Sequence, residues 1–170
     1  MPFSKLIADR YAVRQFSDRA VPEDLLQTIL EAGRLAPTAR NLQPIHITIF
    51  QGAESLERLS GCSPCLYGAP VALMISYNDE ISLRRDGDDM NFGPIDASIV
   101  ATHMMLQAAD LGLGTCFVGA LDVLKFRSLF RIPDSRVPIC LLPIGYPAEG
   151  CQPAEMHSQR KSLNELAEWL

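Results

Sequence analysis

Basic residues are too few in this chain to favour a nucleic-acid partner. The 170 residues contain 15 Lys and Arg against 20 Asp and Glu, which gives a formal net charge of −5 at pH 7. Nonspecific binding to nucleic acid requires a positively charged face on the protein. The charge balance therefore argues against that class of partner.

A long hydrophobic run is also missing. The longest apolar run covers residues 137–144, is interrupted by prolines and falls well short of the roughly 20 residues that cross a bilayer. The first residues show no basic stretch followed by an apolar core, which is the pattern of a signal peptide. Because a length of 170 residues fits one domain, we expect a cytoplasmic protein with a single domain over residues 1–170.

The chain has five cysteines, an odd number that does not suit a disulfide framework. Two of them, Cys116 and Cys140, fall inside predicted strands. Cys62 and Cys65 have CxxC spacing, which occurs in redox centres and in half of a zinc site. No second pair of cysteines and no nearby Cys–His pair completes a metal site. Two unligated thiols in a loop before a strand are therefore favoured, and no metal is predicted.

Several motifs that mark catalysis or phosphate binding are absent as well. The sequence contains neither GxGxxG nor GxxxxGK[ST], the glycine-rich loops that hold phosphate at the start of a helix. It also lacks HExxH, GxSxG and paired carboxylates, and His46, His103 and His157 have no motif partner. A protein with a ligand pocket but no reactive side chain leaves its chemistry to a bound organic cofactor.

Apolar residues recur in a pattern that predicts helices and strands in irregular order, which is typical of an α+β fold. One helix begins at Pro22 and is stopped by Pro37, and the last helix has capping-box spacing between Ser162 and Glu165. Residues 79–92 are polar and predict a mobile loop. The other predicted elements are helices over 4–10, 53–59, 94–111 and 123–131, and strands over 46–50, 70–77, 115–118 and 137–144.

The most informative segment is residues 35–44, which join a predicted helix to a predicted strand. Its Pro, Thr, Asn and Gln residues combine rigid backbone with neutral hydrogen-bonding groups, which suit a flat polar ligand better than a metal. Before it, Arg10 and Arg14 stand four residues apart and can converge on one phosphate through bidentate hydrogen bonds. Arg160 could supply a third charge to that phosphate. Taken alone, each arginine is better explained as a solvated surface residue.

Four blocks of sequence, in the same order along the chain, resemble those of FMN-dependent nitroreductases. Residues 10–16 resemble the R-x-S-x-R-x-F segment that opens the family, and residues 36–44 resemble its A-P-S-x-x-N-x-Q-P-W loop. Residues 109–116 are similar to its A-x-x-L-G-L-G-T-C block. Residues 142–147 and Arg160 match the late P-x-G-Y-P and terminal arginine signatures. Each block is weak evidence, but the ordered set is specific.

The resemblance implies a fold and a function. The expected fold is α+β, with three layers in which helices flank a central mixed sheet of four or five strands, assembled as a homodimer with FMN at the subunit interface. The expected activity is the reduction of nitroaromatic or quinone-type acceptors by NADH or NADPH, in a ping-pong mechanism with the chemistry on the flavin. The residues expected to contact FMN are Arg10, Arg14 and Arg160 at the phosphate, Tyr11 and Ala12 along the ribityl chain, Pro143, Ile144 and Gly145 beside the isoalloxazine, and Pro37, Thr38, Ala39, Asn41 and Gln43 from the partner subunit.

The sequence departs from the family pattern at a few positions. Thr38 replaces the usual Ser and keeps the hydroxyl, whereas Ile45 replaces the usual Trp. Two other functions stay open at this stage. One is an FMN-binding redox sensor or regulatory protein with little turnover, acting through Cys62 and Cys65. The other is an enzyme of the same fold with different flavin chemistry.

Overall fold

A four-stranded sheet forms the centre of the molecule, with strand order β1–β2–β4–β3 and antiparallel pairing between all neighbours. The computed structural model describes residues 2–170. Parallel pairing is limited to one isolated bridge, between Ala12 and Thr115. The elements are α1 (Phe3–Asp9), α2 (Glu23–Arg34), β1 (Ile45–Gln51), α3 (Ala53–Ser60), β2 (Val71–Asn78), α4 (Gly93–Asp110), β3 (Gly114–Thr115), α5 (Val123–Phe130), β4 (Arg136–Gly145) and α6 (Leu163–Leu166), with 3-10 turns at Ala39–Asn41 and Glu155–Ser158.

The predicted three layers are confirmed by the two faces of β2. Val71, Leu73 and Ile75 pack into one core together with residues of α2 and α4. Ala72 and Met74 point to the opposite face and pack into a second core with residues of α3 and α5. Successive side chains of a strand face opposite sides, so a strand covered on both faces must be apolar throughout. The continuous apolar run of β2 therefore reflects its central position.

The strand predicted over residues 115–118 is shorter in the structure. Gly114 pairs with Gly145, and Val118 pairs with Leu141 through an isolated bridge in the same register. That register places Pro143 opposite Cys116, and proline has no N–H to donate to the ladder. The pairing is therefore interrupted at this point, and β3 is left with two residues.

The long helix α4 lies against the central sheet and against α2. It contains Pro94 in its first turn and ends before Gly112, whose φ of 77° is favourable for glycine. Gly33 of α2 allows close approach, because a Cβ at this position would lie 2.9 Å from Met104. None of the helices within residues 2–170 is long and apolar enough to cross a membrane.

Candidate functional site

Residues 10–17, called the arginine segment below, run along β3 and continue past the end of β4. The Val13 N–H donates to the Thr115 carbonyl at 2.9 Å, and the Ser17 N–H donates to the Tyr146 carbonyl at 2.9 Å. Phe16 forms a bridge with Pro147. The segment is thus fixed by backbone hydrogen bonds beside the end of β4, so the structure brings together two sets of the predicted residues that are far apart in sequence.

The charges of two arginines of this segment influence the pKa of one buried thiol. Burial raises the pKa of Cys116, and the positive charges of Arg14 and Arg10 partly oppose that rise. Within residues 2–170, no carboxylate forms an ion pair with either arginine. Two cations of one segment without an acidic partner are suited to an anionic ligand such as phosphate.

The C-terminal segment returns to the start of the chain. The Tyr11 hydroxyl donates to the Cys151 carbonyl at 3.2 Å, and the Tyr11 ring packs edge-on against His157 with centroids 6.2 Å apart. A ring nitrogen of His157 lies 3.2 Å from the Ala8 carbonyl. The nearby Arg160 donates to the carbonyl of its own neighbour Gln159 at 2.7 Å. These contacts hold the C-terminal segment close to Arg10. The binding of a phosphate by Arg160 stays a prediction.

The predicted ring-binding residues of β4 form the last part of that strand. Ile144 pairs with Val71 on one side and with Thr115 on the other, and its side chain is fully buried. Gly145 has no space for a side chain, because a Cβ would lie 2.7 Å from Cδ of Pro70. Contact between these two residues and a ligand would therefore be made through the backbone.

The second half of the predicted site is the loop of residues 37–43. The Gln43 N–H donates to the Thr38 hydroxyl at 3.0 Å, and the Asn41 N–H donates to the Thr38 carbonyl at 2.9 Å. Arg40, Asn41 and Gln43 have φ values of 50°, 56° and 50°. They are three of the six non-glycine residues with positive φ within residues 2–170. Such left-handed conformations are unfavourable and often mark functional sites.

A carboxylate that the sequence did not single out holds this loop. The Ala39 N–H donates to Oδ1 of Asp96, in the first turn of α4, at 2.9 Å. Helical spacing puts Asp96 and His103, seven residues apart, on the same side of α4, but Asp96 is buried and His103 is exposed. The sequence feature that could have indicated its role is its position, two residues after Pro94 at the start of a largely apolar helix.

The two halves of the predicted site lie at opposite ends of the sheet. The loop 37–43 leads into Ile45, which pairs with Tyr77 at one end of β2, whereas Ile144 pairs with Val71 at the other end. The six steps from Val71 to Tyr77 correspond to roughly 20 Å of strand. Within one chain, the two halves are therefore separated by the length of the sheet.

The CxxC pair lies in the loop before β2, as predicted. Cys62 is buried in the second core and Cys65 is half-buried, and all five cysteines are free. A hydrogen bond with the Cys65 side chain raises the pKa of Tyr67, which has a φ of 56°. Within residues 2–170, no group of three or more Cys, His, Asp or Glu side chains could hold a metal ion.

Comparison with known proteins identifies the class to which this fold and these motifs belong. The sequence model of the Nitroreductase family matches residues 7–62 and 60–146. The chain therefore belongs to the nitroreductase family. It is similar to a protein of Methanothermobacter thermautotrophicus described as an NADH dehydrogenase/NAD(P)H nitroreductase, with 32% identity over 158 residues, covering 88% of this chain and 79% of the relative.

Two solved structures resemble the fold closely. The crystal structure of a nitroreductase family protein from Clostridium difficile 630 has a TM-score of 0.93 and 34% identity, and the match covers 99% of this chain and 98% of the other. An FMN-dependent nitroreductase from Clostridium difficile R20291 has a TM-score of 0.75 and 25% identity, with coverage of 92% and 96%. The predicted family and the three-layer α+β fold are confirmed.

Proposed function

We propose that this protein is an FMN-dependent oxidoreductase that uses NADH or NADPH to reduce nitroaromatic or quinone-type acceptors by a ping-pong mechanism. The observation that carries the proposal is the pair Arg10 and Arg14, which have no ion-pair partner within residues 2–170 and belong to a segment that backbone hydrogen bonds fix beside the end of β4. The name of the FMN-dependent relative supports the cofactor, and the name of the archaeal relative supports the reductant.

Each group of residues has a distinct part in holding the cofactor. Arg10 and Arg14, with Arg160, would bind the phosphate by charge-assisted hydrogen bonds. Tyr11 and Ala12 would lie along the ribityl chain. Because Ile144 is fully buried, the end of β4 would offer backbone and not side chains to the ring system. When bound, FMN would supply hydride transfer at N5, and the protein would supply position and polarity.

We also propose that the working unit is a homodimer of the single domain formed by residues 1–170. The two site halves are separated by the roughly 20 Å length of β2, a distance far longer than one flavin ring system. A second copy can bring its loop 37–43 to the arginine segment. Exposed apolar side chains supply surface for such contact, since Leu163, Leu166 and Trp169 are 78%, 75% and 98% exposed.

The cofactor and the activity are tested with the purified protein. We expect yellow protein, or uptake of added FMN, and bleaching by NADH or NADPH without oxygen, followed by reoxidation by nitro compounds or quinones. Colourless protein that takes up no FMN would contradict the proposal. Slow bleaching of tightly bound FMN would favour the sensor function, and fast bleaching without reoxidation by either acceptor class would favour different flavin chemistry.

The dimer is tested separately by sedimentation of the FMN-loaded protein. We expect twice the mass of one chain at micromolar concentration. A folded monomer that retains FMN would overturn the two-chain site. FMN would then be bound without the loop 37–43 of a second copy.

A further inference from the structure

Asp96 is the only Asp, Glu, Lys or Arg within residues 2–170 that is fully buried, with 1% of its surface exposed. Burial of a carboxylate is unfavourable unless hydrogen bonds or charges compensate for lost water. One oxygen, Oδ1, accepts from the Ala39 N–H at 2.9 Å, and the other, Oδ2, has no partner in the structure. The start of α4 contributes a favourable dipole, but an apolar side chain would avoid the unpaired oxygen altogether.

The one hydrogen bond that Asp96 accepts comes from the part of the loop 37–43 with the most unfavourable backbone conformations. Ala39 begins a short 3-10 turn, and the next two residues, Arg40 and Asn41, both have left-handed φ values. The other hydrogen bonds of this loop stay within it. The Asn41 and Gln43 N–H groups donate to Thr38, the Leu42 N–H donates to the Ala39 carbonyl, and the Gln43 side chain donates to the Asn41 carbonyl. The bond to Asp96 is thus the one that fixes the turn to the body of the protein.

We propose that Asp96 is a positioning residue that holds the loop 37–43 in the conformation required to contact FMN bound by the partner subunit. This inference rests on the proposed function, because it assigns a purpose to the loop. The carboxylate acts through the backbone of Ala39 and need not touch the cofactor. Without this bond, the unfavourable conformations of Arg40 and Asn41 lose their fixed support, and the loop relaxes.

The first experiment does not involve FMN. Amide hydrogen exchange of cofactor-free protein should show a protected amide at Ala39. In Asp96→Ala we expect exchange there to be about tenfold faster or more. Asp96→Asn keeps an acceptor at the position of Oδ1, so most of the protection should return. Unchanged exchange at Ala39 in Asp96→Ala would overturn the proposal, whatever the protein does with flavin.

The second experiment measures FMN. In Asp96→Ala we expect the FMN dissociation constant to rise about tenfold or more, the range for losing a hydrogen bond to a charged group, with a changed visible circular dichroism spectrum of bound flavin. Asp96→Asn should restore both. A merely structural carboxylate would lower thermal stability without changing the spectrum, and that outcome would overturn the proposal while the flavin function of the wild type stands.

Asp122→Ala is the matched control. Asp122 also accepts a backbone N–H at the start of a helix, from Lys125 at 2.9 Å, but it lies at α5 on the other side of the sheet. We expect this variant to lose stability and to keep its FMN affinity. Equal loss of FMN affinity in Asp122→Ala and Asp96→Ala would contradict a specific role for Asp96.

Ala39→Pro keeps the test decisive if Asp96→Ala fails to fold. Proline removes the N–H donor from the opposite side of the bond, and the preceding Thr38, with ψ of 158°, already has the extended conformation that proline favours. We expect the same loss of FMN affinity. Asp96→Asn keeps the acceptor, so adding it to Ala39→Pro should change the FMN affinity no further; wild-type FMN affinity in Ala39→Pro would overturn the proposal.

Discussion

Val13 lies directly against Gly114, so closely that a Cβ on Gly114 would be 2.5 Å from Cγ2 of Val13. The Val13 N–H also donates to the carbonyl of the next residue, Thr115, at 2.9 Å. The contact and the hydrogen bond together hold the arginine segment against β3. The spacing of Arg10 and Arg14 from the end of β4 therefore depends on a glycine that carries no chemistry.

The variant Gly114→Ala should displace the arginine segment. Forcing a methyl group into this contact costs about 1–3 kcal/mol, as overpacking generally does, and we expect lower thermal stability together with weaker FMN retention. Gly119→Ala is the control, because a Cβ at Gly119 meets nothing within 4 Å. If Gly114→Ala were as stable as the wild type in thermal unfolding, the close contact between Val13 and Gly114 would not hold the arginine segment in place, and the prediction would be wrong.

Removal of the Arg14 guanidinium should weaken FMN binding without unfolding the protein. In Arg14→Ala we expect FMN affinity to fall by roughly 1.5–3 kcal/mol, the range for hydrogen bonds to charged groups, because the phosphate would lose one of the cations proposed to bind it. A fluorescence titration with FMN measures the change. Lys5→Ala, which removes an exposed positive charge from α1, should bind FMN as the wild type does. Equal affinities for Arg14→Ala and wild type would exclude Arg14 from the site.

The Cys140 thiol should give a pH dependence of stability in the alkaline range. Burial raises the pKa of Cys140 from its ordinary value of 9.0 to about 12. The folded state therefore keeps this proton longer than the unfolded state, so the contribution to stability is full below pH 9 and is lost as the pH rises toward 12.

The free energy of unfolding, measured in denaturant between pH 8 and pH 11, tests this relationship. Cys140→Val removes the titrating group with a small change in volume, and its stability should fall less steeply above pH 9 than that of the wild type. In the same pH range, alkylating reagents should modify the half-buried Cys65 before Cys140. Parallel stability curves for the two proteins would contradict the assignment.

The core of the fold could be predicted from the sequence because its elements carry local signals. The apolar run of β2, the proline and glycine boundaries of α4 and the capping box of Ser162 and Glu165 all appear in the structure as expected. The two-residue β3 could not be predicted, because its length depends on Pro143, which lies in another strand. Local sequence does not reveal which residue will stand opposite it in a sheet.

The candidate site was only partly predictable for the same reason. Arg10, Arg14 and the loop 37–43 were found from residue type and spacing, but Asp96 lies 57 residues from the Ala39 amide that it binds. Its burial depends on tertiary packing, so the helical pattern grouped it with exposed polar residues.

The opposite positions of the two site halves on β2 make complementation between defective copies possible. In the proposed dimer, Asn41→Ala would damage the loop 37–43 that one copy contributes to the other, and Arg14→Ala would damage the phosphate-binding half. In a symmetric dimer each mixed pair then contains one site with both defects and one site with none. At an FMN concentration that loads the wild type but neither variant, dimers reassembled at random from an equal mixture should recover about a quarter of wild-type activity. No recovery after verified subunit exchange would mean that one chain builds the whole site.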